Sequence, residues 1–347
     1  MHHYLQKQIN KKHKKVIINI LKIKGLLKNN VFMEFLAKEL NKIGTDIEFV
    51  DYTKPLEPQL SDANIIVNGF NNIDKSILDL CPKLKLVQQS GIGVDSIDVK
   101  ACTMRGIYVA NVPMANAISV AEHTLFLILY LIKNIKSDSN KEGNLSGVLV
   151  SRKQSPLGRE VHGKTLAILG LGVTGIEVAK RAKAFGMRVD AVTKNPFTKT
   201  EGSNKKYFVD TINGTDKLHE ILAKSDIVSI HTPLNKETEG MIGPQELRLM
   251  KTSAYLINVA RAHIVDKQAL FSALINKEIT GAAFDVYWNE PADPNEELLR
   301  LDNFVLTSHI AGWTREAIDT ITKIIAINIE RVSRGQVPLT IVNQELI

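Results

Sequence analysis

Five residues of this 347-residue chain combine types that, brought together, hold an organic anion and move a proton. They are His231 in "SIHTPL", Arg261 in "INVAR", Asp285 in "AAFDVY", Glu290 just beyond it, and His309 in "LTSHIAG". Each follows a short apolar run of strand character, and in an open parallel sheet ligands collect at the carboxyl ends of the strands. An arginine there can grip a carboxylate or polarise a carbonyl, and an imidazole can deliver a proton to a developing oxyanion. Singly, each has a plain structural explanation: a satisfied histidine, a surface cation, a loop acid. Five at consecutive strand ends point instead to one edge built for reducing a carbonyl that stands beside a carboxylate.

A glycine motif indicates what supplies the reducing equivalents. "LAILGLGVTGIEVAKRAKAFG" places Gly170, Gly172 and Gly175 in G-x-G-x-x-G spacing. The spacing alone is weak evidence, but here it follows an apolar strand and opens a helix with Ile176, Val178, Ala179 and Ala182 on its faces. The first glycine permits the tight turn, the second admits a pyrophosphate to the backbone, and the third lets helix pack on strand.

These residues need a scaffold of alternating strands and helices, and the chain supplies two series. "VIINI", "IEFVDY", "NIIVNG", "KLVQQSG" and "IYVANV" form the first, with Phe32, Phe35, Leu36 and Leu40 at helical spacing between its first two strands. A long apolar helix from about 118 to 134 and the polar passage "KSDSNKEGNLSG" follow. The second series is "KTLAILG", "GMRVDAVT", "DIVSIHTPL", "AYLINVAR", "GAAFDVY" and "NFVLTSHIAG". Such alternation implies parallel sheets covered by helices, hence two α/β domains. The last amphipathic segment, "AIDTITKIIAINIERVSRG", has no strands of its own and is expected to return to the first domain.

Composition sets limits on the function. The formal charge of +7 arises at one end: residues 1–30 carry eight lysines and no acid, leaving 36 cations against 37 anions elsewhere. Without aromatic interleaving this reads as a solvated extension rather than a nucleic-acid arm. No apolar run reaches the ~18 residues of a membrane span, and "VIINIL" lacks a signal-peptide cleavage site. Cys81 and Cys102 offer neither metal spacing nor a disulfide framework, so a reducing, cytoplasmic address and no metal are expected.

The motifs "SGIGVDSID" (90–98), "NAISVAEHT" (116–124), the glycine motif, "HTPLNKETEGMI" (231–242), "NVARAHIVD" (258–266), "DVYWNEP" (285–291) and "SHIAGWT" (308–314) together resemble the D-isomer-specific 2-hydroxyacid dehydrogenase family over about residues 45–340. The resemblance implies an α/β fold in which a Rossmann-type dinucleotide-binding domain (118–309) is inserted into a smaller flavodoxin-like substrate domain (14–117 and 310–347), after a basic extension (1–13). It implies Arg261 as the substrate-binding arginine, His309 as the proton donor and acceptor, and Glu290 as its partner, since a carboxylate beside an imidazole stabilises the imidazolium. It implies substrate-carboxylate binding by the backbone of Ile92 and Gly93 and pyrophosphate binding by Val173 and Thr174 beside the three glycines. Asp285 is implied to receive the nicotinamide amide, with His231, Thr232, Pro233, Val259, Ala260 and Gly312 as further cofactor contacts. A homodimer through the 118–134 helix is expected as well.

Departures from the family pattern bear on specificity. Ala262 and His263 follow Arg261 where glycine and a small residue are usual, Met114 replaces a common glycine, and Ser308 a proline. The expected effect of His263 is to narrow the substrate that fits. "IVNGFNN" offers Asn68, Gly69 and Phe70 where phosphoglycerate enzymes carry an Arg-Ser pair, so an unphosphorylated 2-keto acid of the glyoxylate or hydroxypyruvate type is favoured. Phosphoglycerate or phosphite oxidation and a dinucleotide-sensing corepressor scaffold are the alternatives. The second strand of the glycine domain ends in Thr193-Lys194, where NAD-specific relatives place an acid. A hydroxyl and a cation there favour NADP over NAD, while Asp190, three residues back, points to the opposite face.

Overall fold

The computed structural model describes residues 23–26, 30–45, 47–51, 53–69, 71–135, 157–196 and 208–347. The extension 1–13, the "VIINI" stretch, Phe70 and "KSDSNKEGNLSG" lie outside the described residues. The chain divides into two compact units, one formed by residues up to Asn116 together with Trp313–Ile347, the other by Ala117–Gly312.

The first unit holds β1 (Ile23–Leu26), α1 (Asn30–Lys42), β2 (Ile47–Phe49), α2 (Glu57–Leu60), β3 (Ile65–Asn68), α3 (Lys75–Asp79), β4 (Leu86–Gln89), α4 (Val99–Met104) and β5 (Tyr108–Ala110). The five strands are parallel in the order β2-β1-β3-β4-β5, the flavodoxin-like order. Successive strand residues face opposite layers. Ile65, Val67 and Leu86 pack with Phe32, Leu36 and Leu40 of α1, whereas Ile66, Val87 and Val109 pack with Leu78 of α3 and Ala101 of α4.

The second unit runs through α5 (Ala117–Ile132), β6 (Thr165–Leu169), α6 (Val173–Ala184), β7 (Arg188–Val192), β8 (Thr211–Asn213), α7 (Leu218–Lys224), β9 (Ile227–Ile230), α8 (Pro244–Leu249), β10 (Tyr255–Asn258), α9 (Lys267–Ile275), β11 (Gly281–Phe284) and β12 (Phe304–Leu306). Its sheet order is β12-β11-β10-β9-β6-β7-β8, all parallel, so the order reverses between β6 and β9. That switch point is where doubly wound sheets bind ligands. The central strands are buried on both faces. Leu166, Ile168 and Ile257 pack with Ala121, Leu125 and Val178 of α5 and α6, while Leu169, Val228 and Leu256 pack with Leu222, Leu247 and Leu270 of α7 to α9. The strand β8 has no counterpart in the sequence reading, because "TIN" is only partly buried and carries no apolar run.

The final helix, α10 (Arg315–Ser333), is capped by Thr314, whose hydroxyl accepts from the Ala317 amide. Its apolar stripe, Ile318, Ile321, Ile325 and Ile329, completes the core beside α1 in the first unit. Beyond it Asn343 accepts from the Val109 amide and donates to the Ile107 carbonyl, tying the chain end to β5. Both cysteines are buried, and burial pushes each thiol up to about 11, so neither is a reactive thiolate.

Candidate active site

The glycine motif folds as its spacing requires. Gly170 sits at φ +105°, and a Cβ on it would lie 2.6 Å from the His231 carbonyl carbon and oxygen. A Cβ on Gly175 would lie 2.2 Å from the Gly170 oxygen, so helix α6 meets β6 closely only with glycine there. Gly172, the N-cap of this 12-residue helix, has nothing within 4 Å of its Cβ position and makes no side-chain cap. An uncapped helix start with room above it is a cradle for an anion, and it fits a dinucleotide pyrophosphate against the Val173 and Thr174 backbone.

At the far side of the same sheet edge, the loops after β10, β11 and β12 carry the charged set. Asn258, fully buried at the end of β10, donates to the Arg261 carbonyl and accepts from the Ala260 amide. It thereby fixes the turn from which Arg261 projects. Glu290 accepts from the Tyr287 amide through Oε1 at 2.9 Å and pairs through Oε2 with His309 Nδ1 at 2.7 Å. Burial works to raise the Glu290 carboxyl, but the His309 hydrogen bond and charge, the Tyr287 amide and the Arg261 charge outweigh it, leaving it below its ordinary 4.5. Glu290 is therefore an anion at neutral pH. With Nδ1 committed to it, Nε2 is the ring nitrogen left to exchange a proton with a ligand.

His309 itself stands at φ +55°, a left-handed conformation uncommon outside glycine. Asp285 holds it there. Its carboxylate, 1 % exposed, accepts from the Ile310 amide at 2.9 Å, the Ala311 amide at 2.8 Å and the Thr307 hydroxyl. The expected amide-receiving role thus meets a carboxylate already taking three protein hydrogen bonds, and what it visibly does is fix the turn around His309. His123 of α5 adds Nε2 at 2.9 Å from Thr307 Oγ1. Burial lowers the His123 pKa despite the nearby Asp285, so this imidazole is neutral.

His231 also differs in kind from His309. Its Nε2 lies 2.8 Å from Ser229 Oγ, and burial pushes its pKa down to about 3, so it carries no acidic proton at working pH. Its amide bonds the Leu169 carbonyl, which closes β9 against the glycine turn. Thr232 and Pro233 continue from it, and Val259 and Ala260 lie on the Asn258 turn. Gly312 closes the stretch after Ala311, at the last residue of this unit.

The end of β7 departs from expectation. Thr193 is only 8 % exposed, so it presents little hydroxyl, and its amide bonds the Asn213 carbonyl. Lys194 is not a loose cation: its amine meets both carboxylate oxygens of Glu237, from the loop after β9. Asp190 is fully buried and engaged by Arg188 and the Thr211 hydroxyl, away from any ribose role.

In the five-stranded unit, Ile92 lies on an exposed loop held at both ends. Its carbonyl accepts from Asn111 Nδ2 and the preceding Gly91 carbonyl from the Val112 amide. Among the described residues, the Ile92 and Gly93 amides have no backbone acceptor. Met114 has φ +69°, which explains why glycine is common at its position. Ala262 is buried in a 3-10 turn at negative φ, so no glycine is needed there, and His263 is exposed.

Sequence reasoning missed Asn258, Thr307, His123 and Glu237. The Asn258 side chain closing "NVAR" was the one local signal, since asparagine bonding its own backbone two residues on is a recurrent turn device. Among the described residues no group of histidine, cysteine and acidic side chains could hold a metal, and no helix is long and apolar enough to cross a membrane.

Comparison with known proteins identifies the relatives of this chain. Residues 125–311 match the family model described as D-isomer specific 2-hydroxyacid dehydrogenase, NAD binding domain. The chain is 35 % identical over 298 residues to a glyoxylate reductase of Korarchaeum cryptofilum, covering 85 % of this chain and 87 % of that one. It is 39 % identical over 273 residues to a D-3-phosphoglycerate dehydrogenase of Archaeoglobus fulgidus, covering 78 % of this chain but only 49 % of that protein. The structure of a D-lactate dehydrogenase from Aquifex aeolicus, complexed with NAD and lactic acid, superposes with a TM-score of 0.79 at 29 % identity, covering 92 % of this chain and 99 % of that one.

Proposed function

The chain belongs to the D-isomer specific 2-hydroxyacid dehydrogenase family, and within it we propose that the protein reduces a small unphosphorylated 2-keto acid, of the glyoxylate or hydroxypyruvate type, with NADPH preferred over NADH. The observation that carries the reading is the 2.7 Å pair of His309 Nδ1 with Glu290, on the sheet edge that also bears the glycine cradle and Arg261. The dinucleotide, when bound, supplies the hydride. Arg261 holds the substrate carboxylate and polarises its carbonyl, and His309 Nε2 gives the alkoxide its proton. Glu290 orients the ring by holding Nδ1, which leaves Nε2 as the nitrogen that faces the substrate.

The choice against a phosphorylated substrate is supported at β3. Asn68 is fully buried, donating to the Asn71 carbonyl and Gln89 Oε1, and offers no cation to a phosphate. Preference for NADPH is supported by Lys194 and by the absence of an acid at Thr193. A homodimer is supported by exposed large apolar side chains at Ile118 and Phe126 of α5, at Ile135 just beyond it and at Phe185 after α6.

Initial rates with glyoxylate, hydroxypyruvate, pyruvate and phosphohydroxypyruvate, each with NADH and NADPH, test the reading. It predicts an unphosphorylated acid with NADPH as the best pair by kcat/KM. Tight dinucleotide binding without turnover of any keto acid would replace it with a scaffold role. Phe126→Glu should convert a dimer to monomer in sedimentation, and a wild-type monomer removes the dimer.

A further inference from the structure

The cation assigned to the 2′-phosphate is already engaged. Lys194 Nζ lies 2.7 and 2.6 Å from the two carboxylate oxygens of Glu237, 43 residues later. Since β6 lies between β7 and β9, the pair joins the loops that follow the two neighbours of the glycine-bearing strand. Both side chains are largely exposed, at 70 % and 64 %, and an ion pair so exposed contributes little to stability. The fold does not depend on it. The turn that presents Glu237 is braced independently: Asn235 Oδ1 accepts from the Glu237 and Thr238 amides, and Thr238 Oγ1 donates to the Pro233 carbonyl.

We propose that Glu237 sets how strongly this enzyme discriminates between the two dinucleotides, acting from the β9 loop as the acid that the end of β7 lacks. Two effects have the same sign. Glu237 neutralises Lys194, and it places a carboxylate beside the cation that a second anion would need. A 2′-phosphate, with a charge of about −1.5 to −2 near neutral pH, must take Lys194 from Glu237 and then remain close to a like charge. A 2′-hydroxyl meets neither demand. The preference that Lys194 creates is thereby held down by Glu237, and removing the carboxylate enlarges it. The inference rests on assigning the Thr193–Lys194 corner to the adenosine ribose.

Titration calorimetry with 5′-AMP and with 2′,5′-ADP, on the full chain and its Glu237→Gln and Lys194→Met variants, tests this without turnover. Glu237→Gln should tighten 2′,5′-ADP relative to 5′-AMP by about fivefold or more, and Lys194→Met should weaken it. The gain should fade near 1 M salt, where the screening length falls to about 3 Å. A Glu237→Gln ratio within twofold of wild type overturns the proposal. The NADPH preference fails separately: a wild-type enzyme with higher kcat/KM for NADH, in which Glu237→Gln still tightens 2′,5′-ADP, refutes that preference and keeps Glu237 as the discriminating acid.

Discussion

Of the three histidine–carboxylate pairs among the described residues of the seven-stranded unit, the two beside the β11 and β12 loops differ sharply, one sealed and one open. His123 approaches Asp285 at 3.6 Å, with side chains 14 % and 1 % exposed; His309 meets Glu290 at 2.7 Å, with both about one-third exposed. In the sealed pair the carboxylate is spent on Thr307 and on two backbone amides, and burial keeps the imidazole neutral. In the open pair one oxygen anchors the acid to the Tyr287 amide and the other faces the ring. An imidazole beside a carboxylate thus yields a clamp in one place and, on the proposed reading, an acid–base couple in the other. Solvent access and the competing hydrogen bonds decide which.

The sharpest way to break this contrast is to remove each ring in turn. His309→Ala should lower kcat for reduction by about a hundredfold or more, the scale of losing a general acid, whereas His123→Gln should stay within about threefold. Equal losses in steady-state assays would erase the distinction. Next in size is Asp285→Ala, which strands the buried Ala311 amide, the half-buried Ile310 amide and a hydroxyl and should cost at least about 2 kcal/mol in urea unfolding; Glu290→Gln should cost less than about 1 kcal/mol. If Asp285→Ala unfolds like wild type, the clamp is not one.

The smallest effect concerns pH. Glu290 is held below its ordinary range, so in the folded protein it is charged at neutral pH and loses that charge only as pH falls through its depressed pKa. Glu290→Gln should reduce kcat about tenfold, roughly 1.4 kcal/mol, by a nearly constant factor from pH 5 to 7. A wild-type acid limb within that window that vanishes in Glu290→Gln would show the carboxyl titrating higher.

Much of the site was legible because it is local. The six apolar strands of the second unit, the glycine spacing and the residues just past each strand are written in consecutive positions, and the sheet brings Arg261, Glu290 and His309 to one edge. What was not legible depends on apposition between strands distant in the chain. Thr307 meets Asp285 across 22 residues, His123 meets Thr307 across 184, and Lys194 finds Glu237 across 43. No periodicity encodes such meetings. The edge strand β8 escaped for a different reason: half-buried polar residues such as Thr211 leave no apolar signature, and it is placed by its ladder to β7 and the Asp190 hydrogen bond.

Helix α10 gives the protein an order of assembly on the ribosome. Its isoleucines belong to the core of the five-stranded unit, yet they are synthesised after the whole stretch 117–312. At about 5–20 residues per second, the early sheet waits on the order of ten to forty seconds for its last layer, its apolar face meanwhile open to nascent-chain chaperones. The seven-stranded unit is contiguous and has no such delay, so the nucleotide cradle is complete while the unit that began first is still unfinished.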